Sequence, residues 1–147
     1  MTRSELIEKL SAQFQHLLQK DAELVGVYAD RLASLGHANL AAILLSDVLK
    51  KNWDEALARR YGQLESSDFK AQMKQAERWT DQRPESPAAW YSFGLLRARE
   101  EDYAGAQQAL EKSQRLRAHN LTARALSDLF EHQGDFRSAL AELRKAI

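Results

Sequence analysis

A chain of 147 residues is the size of one domain, and a domain of that size buries about 68–70% of the surface its unfolded chain exposes, so its core needs no disulfide or metal staple. It has no cysteine, which excludes a disulfide framework, a thiolate zinc site and a cysteine nucleophile. Its 21 Lys and Arg balance 21 Asp and Glu, which removes the net positive charge that drives nucleic-acid binding.

No stretch approaches the about 18 consecutive apolar residues of a membrane span, and Met1-Thr2-Arg3-Ser4-Glu5 is not followed by the apolar core of a secretory signal. Two prolines, six glycines and an abundance of Ala, Leu, Glu, Gln, Lys and Arg predict an all-helical chain.

In chain order, Ser4 caps an amino-terminal helix over about 4–19, whose stripe is Leu6, Leu10, Phe14 and Leu17 with Ile7 and Leu18. Asp21 caps the next helix, in which Val25, Tyr28, Ala29 and Leu32 are expected to face inward, and Gly36 supplies the left-handed stop. The following helix carries Leu40, Ile43 or Leu44, and Val48, which completes a hairpin over about 22–52. The stretch 53–86 is an irregular hairpin. A short helix after Asn52 or Asp54 presents Trp53, Leu57 and Tyr61 and stops at Gly62. The polar turn Glu65-Ser66-Ser67-Asp68 then leads to a helix with Phe69, Met73, Ala76 and Trp79 on one side. Pro84 closes it, and Pro87 opens the next helix at its first turn.

The hairpin over about 87–119 is the most complete repeat. Trp90, Phe93, Gly94 and Arg97 fall at the inward spacing of its first helix, Ala106, Leu110 and Ser113 at that of its second, with Glu101-Asp102-Tyr103 between them. Gly94 and Ala106 let two backbones approach, while Trp90 and Tyr103 supply bulk. Shifting by 33 residues carries Gly94 to Ser127, Asp102 to Asp135, Tyr103 to Phe136, Ala106 to Ala139 and Leu110 to Leu143, which defines a last hairpin over about 120–147. In the first hairpin Ala41 takes the place of Ala106. That offset is close to the tetratricopeptide period of about 34 residues. The expected fold is therefore all-α, a single tetratricopeptide-like right-handed superhelix of antiparallel helical hairpins spanning 1–147. No helix with a polar outer face follows the last hairpin, so the expectation is either a fragment of a longer array or end helices capped by a neighbouring molecule, a homodimer contact included.

The run LVGVYADRLASLG (24–36), with LLSDVLKKNWDEALARRYGQLESSDFKAQMKQAERWTDQRPESPAAWYSFGLL (44–96), resembles the carboxy-terminal tetratricopeptide domain of the HemY family, bacterial proteins associated with haem-biosynthesis genes. Trp53-Asp54, Tyr61-Gly62, Ala76-Glu77-x-Trp79 and Pro84 stand in that family's order, whereas Tyr103-Ala104-Gly105-Ala106 replaces its more usual Trp-Gly-Lys-Ala-like turn. The resemblance implies the soluble part of a longer inner-membrane protein, anchored by two membrane-spanning helices outside this chain and placed on the cytoplasmic face. It implies a non-catalytic scaffold that organises or regulates haem-pathway proteins, with haem-pathway enzymes among its partners. The alternatives are direct haem or porphyrin binding through His132 or Tyr91, and a general adaptor unrelated to haem.

The residues themselves offer little chemistry. Trp53, Trp79 and Trp90 lie on apolar stripes and read as core, so Trp90→Ala is expected to cost about 3–5 kcal/mol. His16, His37, His119 and His132 lack ligand spacing, so no metal or cofactor is expected. Glu100, Glu101 and Asp102 read as a solvated turn, and no nucleophile motif or phosphate loop accompanies them. What remains is a concave face made by the first helix of each pair. Its candidates are Ala88, Tyr91, Leu95, Ala98 and Arg99 in one hairpin and Leu121, Arg124, Asp128, Glu131 and His132 in the next. Of these, Tyr91, Leu95, Arg99, Arg124, Asp128 and His132 are the expected contacts to a protein or peptide partner.

Overall fold

The computed structural model describes residues 21–147 and, ahead of them, Thr2, Ser4, Glu5, Glu8, Lys9 and Ala12. The predicted amino-terminal stripe of Leu6, Leu10, Phe14 and Leu17 lies outside the described residues. From Asp21 onward the chain is helical throughout: α1 (Ala22–Ser34), α2 (Ala38–Lys51), α3 (Glu55–Gln63), α4 (Phe69–Gln82), α5 (Pro87–Arg99), α6 (Tyr103–Leu116), α7 (Asn120–His132) and α8 (Phe136–Lys145). Among the described residues there is no strand, and no helix is long and apolar enough to cross a membrane.

Short polar side chains set where these helices begin, because each supplies an acceptor for an otherwise orphaned amide. Asp21 Oδ1 accepts from the N–H of Glu23 and Leu24 at 3.0 and 3.3 Å, Asp54 from Leu57 at 3.0 Å, and Asp102 from Gly105 at 3.0 Å. Ser86 Oγ accepts from Ala89 at 3.1 Å, ahead of Pro87. Asp135 accepts from Ser138 at 3.1 Å, and the Ser138 hydroxyl and N–H hold its carboxyl below the usual carboxylate range. His119 Nδ1 caps α7 by accepting from Leu121 N at 3.1 Å.

The hairpin turns need a left-handed residue. Gly36 (φ 89°) and Gly134 (φ 81°) supply it after α1 and α7, but after α5 the position is Glu101, at φ 64°. A side chain there is strained by about 1–2 kcal/mol. Glu101→Gly is therefore expected to raise stability by about 1 kcal/mol, measured by thermal unfolding, whereas Gly134→Ala should lower it.

Contacts divide the chain into two compact units, 1–75 and 76–147, and α4 runs through the division. In the first unit α1 folds back on α2, and α3 packs against α2 and α1. Val25, Ala29, Ala41, Leu44, Leu45, Val48, Leu57 and Tyr61 form its core. Tyr28, expected to face inward, is 42% exposed; of the alternatives Ile43 and Leu44, Leu44 is the buried one and Ile43 is 38% exposed. α1 packs Val25, Gly26 and Ala29 against α2 and α3 and leaves Tyr28 partly exposed. The Arg60 side chain, paired with Asp30, lies so close to Gly26 that an added Cβ would be 2.6 Å from Nε. The joint between α3 and α4 is held by a buried amide, Gln72, whose Nε2 donates to the carbonyls of Tyr61 and Leu64 at 2.9 and 2.8 Å.

In the second unit α5 pairs with α6 and α7 with α8. A Cβ on Gly94 would lie 2.7 Å from Leu110 Cγ and 3.3 Å from the Ala106 carbonyl, so the α5–α6 crossing depends on the missing side chain. In the next hairpin Ser127 occupies the place of Gly94 and uses its hydroxyl instead, donating to the carbonyl of Ala139 at 2.9 Å. Ser113 Oγ ties the ends of the α5–α6 pair by donating to Pro87 O at 2.8 Å.

Trp90 is not the core residue its spacing predicts. It is half-buried, edge-on to Phe93, with Nε1 donating to Pro84 O at 2.8 Å, while Arg97 lies 4.7 Å over the Phe93 ring and pairs with Asp102 at 3.0 Å. The next two positions, Tyr91 and Ser92, are buried, and Tyr91 is covered by Ala106 and Leu110 of α6 and Leu126 and Leu129 of α7. Trp79, by contrast, is 4% exposed. On α8 only Ala139 is buried, and Phe136, Leu140 and Leu143 form an exposed apolar row; Leu110, the counterpart of Leu143, is buried because Leu126 and Leu129 of α7 pack over it.

Candidate functional site

Two helical stripes and one turn build a cleft of about 360 Å³ in the second unit. On α5 the stripe is Tyr91, Leu95 and Ala98; on α7 it is Leu121, Arg124, Ala125, Asp128 and His132. Members of each stripe recur at three- or four-residue steps, with Arg124 and Ala125 side by side on α7, so each is a single face of its helix. The two faces meet because the cluster of Tyr91, Leu110, Leu126 and Leu129 fills the space beneath them. Burial then grades the cleft from inside to outside. Tyr91, Leu110 and Leu129 are buried, Leu95, Ala98, Leu121 and Ala125 are half-buried, and Arg124, Asp128 and His132 are exposed.

The result is an apolar trough with its charges at the rim. Tyr103, at the start of α6, joins it and stacks on His132 with ring centroids 4.5 Å apart and a tilt of 37°. Arg124 and Asp128 are four residues apart on α7, yet neither has a hydrogen-bond or ion-pair partner among the described residues. A guanidinium and a carboxylate are thus held side by side at the edge of an apolar surface, each with its bonding capacity unspent.

Of the residues expected to contact a partner, Tyr91, Leu95, Arg124, Asp128 and His132 come together in this cleft. Tyr91 sits in its buried part, 3% exposed, and not on a solvated face. Arg99 is exposed and lines no part of it, and Ala88, placed with the surface residues by spacing, is fully buried. Tyr103 and Ala125 were not among the candidates. Tyr103 was assigned to turn packing, and Ala125 is too small to stand out; the i+4 spacing from Leu121 was the available signal for it. No group of three His, Cys, Asp or Glu among the described residues is arranged to hold a metal ion.

No protein-family model matches the chain, and no curated protein matches it. Solved structures do. A crystal structure of MamA superposes with a TM-score of 0.59 at 16% identity, covering 95% of this chain and 86% of that one. A structure of MamA from residue 41 to its end, from Desulfovibrio magneticus RS-1, gives 0.60 at 19% identity and covers 99% and 94%. MamA is a helical-repeat protein of the tetratricopeptide type, so this chain has that fold. At such identity the likeness carries the architecture alone.

Proposed function

We propose that this chain is a non-catalytic protein-interaction module whose α5–α7 cleft receives a peptide segment of a partner. The observation that carries this reading is the apolar trough rimmed by Arg124 and Asp128, neither of which has a partner among the described residues. The trough suits an apolar side chain, Arg124 suits a carboxylate through a forked, charge-assisted pair, and Asp128 suits backbone N–H donors. Haem-pathway enzymes at the inner membrane are the finer form of the proposal, and they rest on the resemblance of the runs 24–36 and 44–96, with Trp53-Asp54, Tyr61-Gly62, Ala76-Glu77-x-Trp79 and Pro84 in order.

The structure separates two arginines that the sequence treated together. Retention of partners from a bacterial lysate is expected to fall by about tenfold or more for Arg124→Glu, the effect of losing a charge-assisted bond of about 1.5–3 kcal/mol, and to persist for Arg99→Glu. Equal retention by both variants contradicts the cleft. Retention of proteins other than haem-pathway enzymes, with the same Arg124 dependence, keeps the module and removes the haem connection.

A further inference from the structure

The exposed row on α8 has a covered counterpart within the same unit. Shifted back by 33 residues, Phe136 and Leu143 fall on Tyr103 and Leu110 of α6. Both of those are covered by α7: Leu110 packs with Leu126 and Leu129, and Tyr103 stacks on the ring of His132. Phe136 and Leu143 have no such cover among the described residues and are 67% and 42% exposed, with Leu140 between them at 51%. Leu140 stands where α6 has the half-buried Gln107, so α8 presents the more apolar of the two surfaces and leaves it open. A contiguous apolar face on an otherwise polar helix marks an interaction site.

The occupant follows from the counterpart and from charge. On α6 the cover is a helix that brings two leucines, three residues apart, to the row, so a helix with that spacing fits α8. The borders of the two rows differ. Arg137 and Arg144 lie about 100° and 80° round α8 from Phe136, on the side away from buried Ala139. At these positions α6 has Ala104 and Glu111. Both arginines are exposed, and neither is in an ion pair among the described residues. The acids of α8 itself are committed elsewhere, Glu142 to Lys145 and Asp135 to Ser138, although Asp135 lies in the field of Arg137. A helix seated on the row meets two cations along one border, which favours acids on its own flank. The α8 of a second copy fits poorly, because an antiparallel pair of α8 helices brings Arg137 of each copy beside Arg144 of the other.

We propose that the α8 row receives an acidic amphipathic helix of a partner protein, seated as α7 is seated on α6. It is a contact independent of the α5–α7 trough, none of whose lining residues comes from α8.

The test is a nuclear magnetic resonance titration of the whole chain, read at the leucine methyl groups. The probes are two synthetic peptides, stapled on their outer side to hold them helical, with leucines at three- and four-residue steps. The positions flanking the leucines are Glu in one and Lys in the other. Expected are saturable shifts at Leu140 and Leu143 with the Glu peptide and binding weaker by about tenfold or more with the Lys peptide. The Arg137→Glu, Arg144→Glu double variant is expected to reverse that preference, which a change in folding alone does not do. No saturable shift up to about 1 mM peptide, equal binding of the two peptides, or shifts confined to Leu95 and Leu121 of the trough overturns the proposal. So does a dimer in sedimentation that Leu140→Gln abolishes, since the occupant is then a second copy. The peptide comparison on the unaltered protein decides the matter even where the double variant unfolds.

Discussion

Replacing Gly94 with valine is expected to lower the stability of the protein by about 3 kcal/mol, the upper end of what overpacking costs. The Cβ alone would lie 2.7 Å from Leu110 Cγ, and the Ala106 carbonyl, 3.3 Å away, blocks retreat along the other direction. Leu110 cannot swing aside, because it is 1% exposed and enclosed by Tyr91, Leu126 and Leu129. In a chain of this length such a loss corresponds to a melting temperature lower by about 6–12 °C. Leu110→Ala alone removes buried methyl groups and leaves a cavity, at about 2–5 kcal/mol. Because the two residues contend for one space, the double variant is expected to be more stable than the sum of the single losses by at least about 1 kcal/mol. Urea unfolding of the four proteins measures this. Strict additivity contradicts the close crossing of α5 and α6 at Gly94.

The second large effect is a ranking of tryptophans. Trp79→Ala is expected to cost about 3–5 kcal/mol, because its side chain is 4% exposed and its removal opens the interior. Trp90→Ala is expected to cost about 1–2 kcal/mol, since half-burial limits the transfer loss and the bond it gives up is a single contact to Pro84 O. Chemical unfolding of the two variants gives the order directly. A larger loss for Trp90 would restore it to the core and contradict the face that α5 presents here.

Which of those tryptophans is buried illustrates what the sequence carries and what it does not. Helix boundaries were legible because their causes are local. Asp21, Asp54, Asp102 and Pro87 act within one turn, and Gly36 within one residue. The repeat offset was legible at Gly94, Ala106 and Ala139, where close backbone approach restricts the side chain to very few choices. The phase of a helix was not. A stripe at helical spacing fixes a face only to within a residue, and the neighbour that covers it decides the rest. On α1 the neighbours are α2 and α3, which bury Val25 and Ala29 and leave Tyr28 partly exposed; on α5 it is α7, which buries Tyr91 beside a half-buried Trp90.

The candidate site follows the same division. Leu95, Arg124, Asp128 and His132 were found because each lies on one stripe of one helix. Arg99 falls outside the cleft because it follows Ala98 by a single residue, about 100° round the helix. Tyr103 was missed because it enters from α6, and no spacing within α5 or α7 reports it. Gln72 gave no signal of its own, since a glutamine in a polar helix reads as surface until the carbonyls of Tyr61 and Leu64 are placed beside it.

The central claim is that a partner segment lies in the trough between α5 and α7. The most direct measurement places a photo-crosslinking residue at Leu95 or Leu121 inside the trough, or at Arg99 outside it, and irradiates each protein in lysate. The account predicts the same covalent adduct from Leu95 and Leu121, lost when Arg124→Glu is added, and no such adduct from Arg99. An adduct that forms from Arg99 alone, or that survives Arg124→Glu unchanged, contradicts it.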